Sequence, residues 1–448
     1  MKTLFYSSIL FILGSANVLV GQYNYDLYKF PEVKVKGLNL NFNSLGNYNK
    51  YELTRDYKSR NFSYDLESNY FQFANTDKRQ KTDFVSAQNK FSYAKYDLLL
   101  TENKVRSFNL NLNKNQINRN YFHNEASFLG LKGKFFEVNH KLAVNYSSEI
   151  NTSNAQASTD LSFGFGFGRL EPVSEVFDAQ FLMNDLLEAG ILKAKFSESD
   201  LYELAALMAN VKNQRVFDFR RATIYQLTEL TNWLNSKGIE QNIKTFTILN
   251  DNWTGNFAAQ RLNGKRLSFS ISPWAQKNWD KRNNVNWESD LNRGAVASIA
   301  YVNAKNKNLF FGTETSFRLS HGIDNAHQAD NVTTLTGSYG LIFSPNSRTT
   351  ISASPTISLA TQTFSKHAAQ LSLPLNFNYF INNRSRISGF LDLNWLTNER
   401  VIFERPSGVN EFNPNFRSAV YSPLNSILPY QGSRFNVNAG LKFTYTLF

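Results

Sequence analysis

Five histidines, His123, His140, His321, His327 and His367, are the side chains suited to proton transfer near neutral pH in this chain of 448 residues. His321 precedes Gly322 and lies near Asp324 and His327, a grouping that could hold a metal or serve a hydrolase set into a membrane. The flanking residues such chemistry needs do not accompany it. The sequence therefore assigns no catalytic, cofactor-binding or metal-ligating residue, and it places His321 in an exposed loop. Gly164-Phe165-Gly166-Phe167-Gly168 invites a phosphate-loop reading, but its glycines alternate with aromatics in strand phase and no Lys-Ser or Lys-Thr follows. It reads as a strand with a glycine-lined inner face that leaves room for the helical segment to dock against the wall. Beside it, Arg169 and Glu171 either pair across the junction or stand solvated.

Arg215, Asp218, Arg220 and Arg221 form a charged cluster that is the candidate docking point for a periplasmic protein partner or an anionic polymer; the plainer reading is solvated helix ends. Trp274, Trp279 and Trp287 flank a polar loop rich in Lys and Asn and fit an interfacial aromatic girdle or a loop that packs on itself, with carbohydrate stacking a weaker third reading. The chain is basic, with 48 Lys and Arg against 36 Asp and Glu and a formal charge of +12. Nucleic acid is the usual partner of such a balance. An N-terminal Met1-Lys2 followed by the apolar run Leu4 to Leu13 instead predicts a secretory signal, residues 1–21, with cleavage after Gly21. An exported chain meets anionic headgroups and solutes rather than nucleic acid. With 0 Cys, thiolate chemistry, disulfides and a lipid anchor are excluded.

The elements that position these residues are strands. Phe435, Val437, Ala439, Leu441, Phe443, Tyr445 and Leu447 alternate with polar residues up to Phe448 at the chain end. Such alternation sets one face of a strand against an apolar medium and the other against water. The same period recurs from about 36 to 169, as in Leu38-Leu40-Phe42 and Leu161-Phe163-Phe165-Phe167, and again in the second half from Phe246-Ile248 onward, as in Leu371-Leu373-Leu375. Between about 172 and 238 the period becomes 3.6. Pro172 suits a first helical turn and Gly190 an end. Ser197 with Asp200 resembles a capping box, and Ile224, Leu227, Leu230 and Leu234 mark a third helix that stops near Gly238. Pro355 and Pro374 each cost a ladder hydrogen bond, so local bulges are expected there.

About six strands before the helices and eight to ten after them are expected. The fold class is thus mainly β: a transmembrane antiparallel β-barrel of about 14–16 strands with a mid-chain three-helix insert. Its parts are a signal peptide (1–21), a first barrel segment (22–171), the helical insert (172–238) and a second barrel segment (239–448). An even count before the insert places the helices on the side of both termini.

On its signal peptide, alternating segments and C-terminal aromatic, the chain resembles the Gram-negative outer-membrane β-barrel proteins, particularly the Phe/Tyr/Asn-rich kind of Bacteroidetes-like bacteria. The resemblance implies an outer-membrane location, contact with lipid and lipopolysaccharide, and insertion by the barrel-assembly machinery, which reads Phe443, Tyr445, Leu447 and Phe448. Phe448 departs from the family's phase by one residue. The function expected is a non-enzymatic, porin-like channel or transport component whose insert gates the lumen or docks a periplasmic partner. The alternatives are an envelope scaffold without an open pore and a barrel-embedded hydrolase.

Overall fold

The computed structural model describes residues 23–53, 55–98, 101–149, 152–214, 219–255, 261–282, 286–324, 331–362, 366–381, 385–397 and 434–445. Among them are fifteen strands and four α-helices. The strands are β1 (Val33–Leu53), β2 (Arg55–Thr76), β3 (Arg79–Leu98), β4 (Thr101–Phe128), β5 (Leu131–Ser148), β6 (Thr152–Pro172), β7 (Leu262–Arg282), β8 (Glu288–Asn306), β9 (Phe311–Asp324), β10 (Asn331–Asn346), β11 (Thr349–Ala353), β12 (Thr356–Gln362), β13 (Lys366–Phe380), β14 (Ser385–Leu396) and β15 (Arg434–Tyr445). The helices, α1 (Ser174–Glu188), α2 (Glu198–Asn213), α3 (Phe219–Ser236) and α4 (Ile243–Gly255), lie between β6 and β7.

All pairings are antiparallel, and apart from β11 and β12 each strand pairs with its sequence neighbours in a single sheet that meanders from β1 to β15. β11 and β12 lie end to end, both between β10 and β13. They form one wall position broken at Ser354-Pro355, where proline has no N–H to give. The ladder is carried past the break by Tyr339 N donating to Pro355 O (3.0 Å) and Ser354 N to Pro374 O (3.1 Å). Pro355 therefore interrupts ladder pairing as expected, but neither proline makes the bulge expected: the register to β10 and β13 is the same on both sides of Pro355, and β13 runs through Pro374 without a shift.

Burial in this sheet is inverted. Phe136, Phe165, Phe269, Ile299, Leu319, Leu335 and Leu359 are successive cross-strand partners from β5 to β12, a continuous apolar row. Phe165 is 55% exposed, and Leu319 and Leu359 are 46% and 48% exposed. One residue along, on the opposite face, runs the row Glu137, Gly164, Ser270, Ser298, Ser320, Thr334 and Ala360. Glu137, Ser320, Thr334 and Ala360 are buried. A wall with grease outside and small or polar groups inside suits a sheet rolled within a bilayer, where lipid solvates the outer face.

The sheet is curled. Asn75 on β2 and Glu171 on β6 are four ladder steps apart, roughly 19 Å in a flat sheet, yet Asn75 Nδ2 donates to Glu171 Oε2 at 3.3 Å. The fold is thus mainly β and antiparallel, a barrel wall with an outward apolar belt. β1 and β15 end the strand order, and among the described residues no pairing joins them.

The helical segment extends past the boundary expected at 238. Phe246 and Ile248 belong to α4 rather than to a strand, because Ile248 and the buried Leu249 pack on the helical core while Phe246 faces out, an asymmetry that two apolar residues in a row of three cannot reveal. Pro172 ends β6, paired with Leu262, and does not begin a helix. The other signals act as read: Ser197 Oγ accepts from Asp200 N (3.1 Å) at the start of α2, and Gly190 and Gly238 take φ of +70° and +77° just past α1 and α3.

Candidate functional site: the capped mouth of the barrel

Six strands precede the helices, so the insert, the N-terminal segment and the tight β2–β3 and β4–β5 turns all lie at one end of the wall. The helices have an ordinary apolar core: Val176, Phe177, Leu182, Leu186, Leu201, Leu204, Leu230, Leu234 and Leu249 are almost wholly buried. Residues before β1 complete that core. Tyr23, Tyr25 and Tyr28 are buried in it, with Tyr25 and Phe177 ring centroids 4.8 Å apart and those of Tyr28 and Tyr202 5.6 Å apart. The Tyr25 hydroxyl donates to Gln180 Oε1 (3.1 Å), and burial pushes its pKa up to about 12. Tyr23 Oη donates to Phe196 O (3.0 Å), and Asn24 N to Glu198 Oε1 (2.8 Å). The N-terminal segment is thus a strap that the sequence reading missed. Its signal was the tyrosine spacing 23, 25 and 28, outside any periodic run.

The helical unit is seated on the rim of the wall. Asn263 Nδ2 at the start of β7 donates to Asp26 Oδ1 in the strap (2.6 Å). Leu309 and Phe310, in the β8–β9 turn, pack on the helical core. The buried Arg261 lies over the Phe177 ring at 4.2 Å and donates from Nη2 to Phe310 O (3.3 Å); burial lowers its pKa to about 10. Further round, Arg348 of the β10–β11 turn forms an ion pair with Asp251 of α4. Within the unit, Lys212 donates to Asp178 Oδ2 (2.6 Å). Burial pulls that ammonium's pKa down, but the charges of Asp178 and Glu175 outweigh it and hold the value above the ordinary one.

Just inside the mouth, polar side chains from β2 to β6 form a network over the buried Phe135 ring. Gln80 Nε2 lies 2.9 Å from both Asn75 Oδ1 and Leu170 O, and Tyr121 Oη donates to Gln80 Oε1 (2.7 Å). Arg169 pairs with Glu171, donates to Asp77 O and Asn75 Oδ1 (both 3.0 Å) and lies 4.7 Å over the Tyr121 ring, so the charge pairing read at this junction does form. Arg119 and Glu137 form a buried ion pair beneath it. The glycine-lined face is present, since Gly164, Gly166 and Gly168 are buried while Phe163 and Phe165 face out. Its room is taken by Phe135 from the adjacent strand, not by the helices. A Cβ on Gly166 would stand 2.4 Å from the Phe135 ring and 2.2 Å from Leu267 O.

Of the residues singled out from the sequence, Arg169 and Glu171 meet at this mouth. Arg215 and Asp218 lie outside the described residues, Arg220 is in the first turn of α3 and Arg221 is exposed on the same helix. Phe443 shares the outward apolar face with Phe435, Val437 and Leu441, Tyr445 ends β15, and Leu447 and Phe448 lie outside the described residues, as does the signal segment. His321 sits in β9, not in a loop, because its segment pairs with strands on both sides. It shares the face of Phe317 and Leu319, and its Nδ1 is 2.8 Å from Thr333 Oγ1. His327 lies outside the described residues, and among those described no group of three or more acidic or histidine side chains could hold a metal. Trp274 and Trp279 belong to β7, with Lys277 5.1 Å over the Trp279 ring, and Trp287 precedes β8.

No family model matches the chain, and no curated protein matches it. Among solved structures, the chain is similar to the TodX deltaS2S3 mutant monoaromatic hydrocarbon channel at 9% identity, with a TM-score of 0.20, over 81% of this chain and 85% of that one. At that degree of overlap the architecture rests on the strands' own register and burial.

Proposed function

We propose that the chain is an integral outer-membrane β-barrel of a Gram-negative bacterium, working as a channel or transport component whose helical unit and N-terminal strap cap the periplasmic mouth. The observation that carries this reading is the pair of rows on β5 to β12, apolar outward and small or polar inward, with the helices seated on the rim at the end of the wall where the N-terminal segment lies. An inner face lined by Ser270, Ser298, Ser320 and Thr334 suits water and hydrophilic solutes, and lumen side chains set what passes. Lipid tolerates no unpaired sheet edge, so within the membrane β1 closes the wall against β15. Among the described residues that makes fourteen wall positions, since β11 and β12 share one. Lipid and lipopolysaccharide surround the belt, the barrel-assembly machinery inserts the chain through its last strand, and no catalytic, cofactor or metal role is assigned.

A second reading has its own support. The side-chain network of Asn75, Gln80, Tyr121, Arg169 and Glu171 fills part of the interior, as a closed envelope scaffold that recruits a periplasmic protein through its helices would require. Planar-bilayer conductance separates the two. Stepwise conductance by the full-length chain, rising when residues 174–255 are removed, supports the channel. Silence from both forms, with capture of a periplasmic protein by the helical unit, replaces it with the scaffold.

A further inference from the structure

The cap is tied to the rim by two kinds of chemistry. At β1 and from β6 to β9 the ties are covalent and apolar, reinforced by hydrogen bonds: the strap with Tyr23, Tyr25 and Tyr28, the chain entering at Val173 and leaving at Arg261, Leu309 with Phe310 in the helical core, and Asn263 Nδ2 donating to Asp26 Oδ1 (2.6 Å). At the β10–β11 turn the tie is ionic. Arg348 Nη2 meets both carboxylate oxygens of Asp251 on α4, and Asp185 on α1 is near enough to feel the same guanidinium. The arginine is braced from behind: its Nη1 donates to Ile381 O (3.3 Å) and its carbonyl accepts from Phe380 N (2.9 Å), which fixes it to the rim. Both partners are open to solvent, the Arg348 side chain at 33% and Asp251 at 57%.

We infer that Arg348 and Asp251 are the latch of a hinged cap, an inference that rests on the channel reading. Separating Tyr25, Phe177, Leu309 and Phe310 would expose apolar surface to water, so the cap stays attached at the strap and along β6–β9. An exposed ion pair contributes little and is screened by salt, so the β10–β11 side is the one that releases. The cap swings away from that side and uncovers the part of the mouth that the β2–β6 network does not fill.

The test is single-channel recording of the full chain carrying Asp251→Arg, Arg348→Glu, or both. Each single variant raises open probability by up to roughly fivefold at low salt, the range an exposed pair controls, and the double variant, with the charges exchanged, returns it to the parent level. Parent-like gating in both single variants, in a chain that conducts when residues 174–255 are removed, overturns the latch and leaves the channel standing. A chain silent in every form, deletion included, overturns the channel and the latch together. Far-ultraviolet circular dichroism and protease resistance of the helices confirm that each variant retains its cap.

Discussion

The helical unit and the barrel wall bury opposite halves of the same alphabet. In the helices Phe177, Leu182, Leu204 and Leu230 are sealed from solvent and charges such as Lys237 face out. In the wall Phe165, Leu319 and Leu359 face out and Arg119, Glu137 and Ser320 are sealed in. One chain thus answers to two solvents. The helices fold against water by hiding apolar surface, and the wall satisfies its backbone strand to strand and offers its apolar surface to lipid. Tyr28 and Phe30, which pack on the helical core a few residues before β1 begins, mark how abruptly the rule changes.

The largest effect that sharpens this comparison is expected inside the wall. Arg119→Ala leaves Glu137 buried and unpaired, and should cost about 3–5 kcal/mol in unfolding by denaturant. Arg119→Ala combined with Glu137→Gln should recover part of that loss. Next come two leucines read by opposite rules. In the helical core Leu204→Ala opens a cavity costing about 2–5 kcal/mol, while Leu359→Ala on the lipid face should cost well under that because lipid chains fill the space. Leu359→Arg should cost about 2–4 kcal/mol if the residue sits near the bilayer midplane. Equal penalties for Leu204→Ala and Leu359→Ala in lipid would erase the distinction.

The smallest effect is one of pH and belongs to the helices alone. Lys237 donates to Asp200 (2.6 Å) and Glu203 (2.9 Å), and these hydrogen bonds hold both carboxyl groups below their ordinary values of 3.8 and 4.5. A carboxylate depressed in the folded state stabilises the helices above its ordinary value, and the gain fades as pH falls through the lower folded one. Acid unfolding of the helices below about pH 4 should therefore begin earlier in Lys237→Met, with no change in the heat-modifiable mobility that reports the wall.

Much of this was legible in the sequence, and the losses have physical causes. Strict alternation at Phe163-Phe165-Phe167 and Leu371-Leu373-Leu375 gives strand and face together, because a period of two leaves no other solution. Caps and stops at Ser197, Gly190 and Gly238 were readable because each acts on its own backbone. α4 was missed because Phe246 and Ile248 mimic alternation in a segment too short to discriminate. The mouth was harder to foresee. Phe135 meets Gly166 by strand register, Asn75 meets Glu171 by the curl of the sheet, and Arg348 meets Asp251 by the seating of α4 on the rim; these pairs join residues about 30 to nearly 100 positions apart, which local pattern does not relate. The Arg215–Arg221 cluster drew attention by charge density, whereas the ionic tie to the rim is a single pair, Arg348 with Asp251, and the other ties include buried apolar contacts.

Site-directed spin labelling along β12 tests the two-solvent account most directly. With no native Cys in the chain, single cysteines at 357, 358, 359 and 360 can carry the label in protein reconstituted into bilayers. The account predicts that labels at Ile357 and Leu359 relax with oxygen dissolved in lipid, while those at Ser358 and Ala360 are shielded from it. Uniform exposure at all four positions, or the opposite alternation, would contradict it.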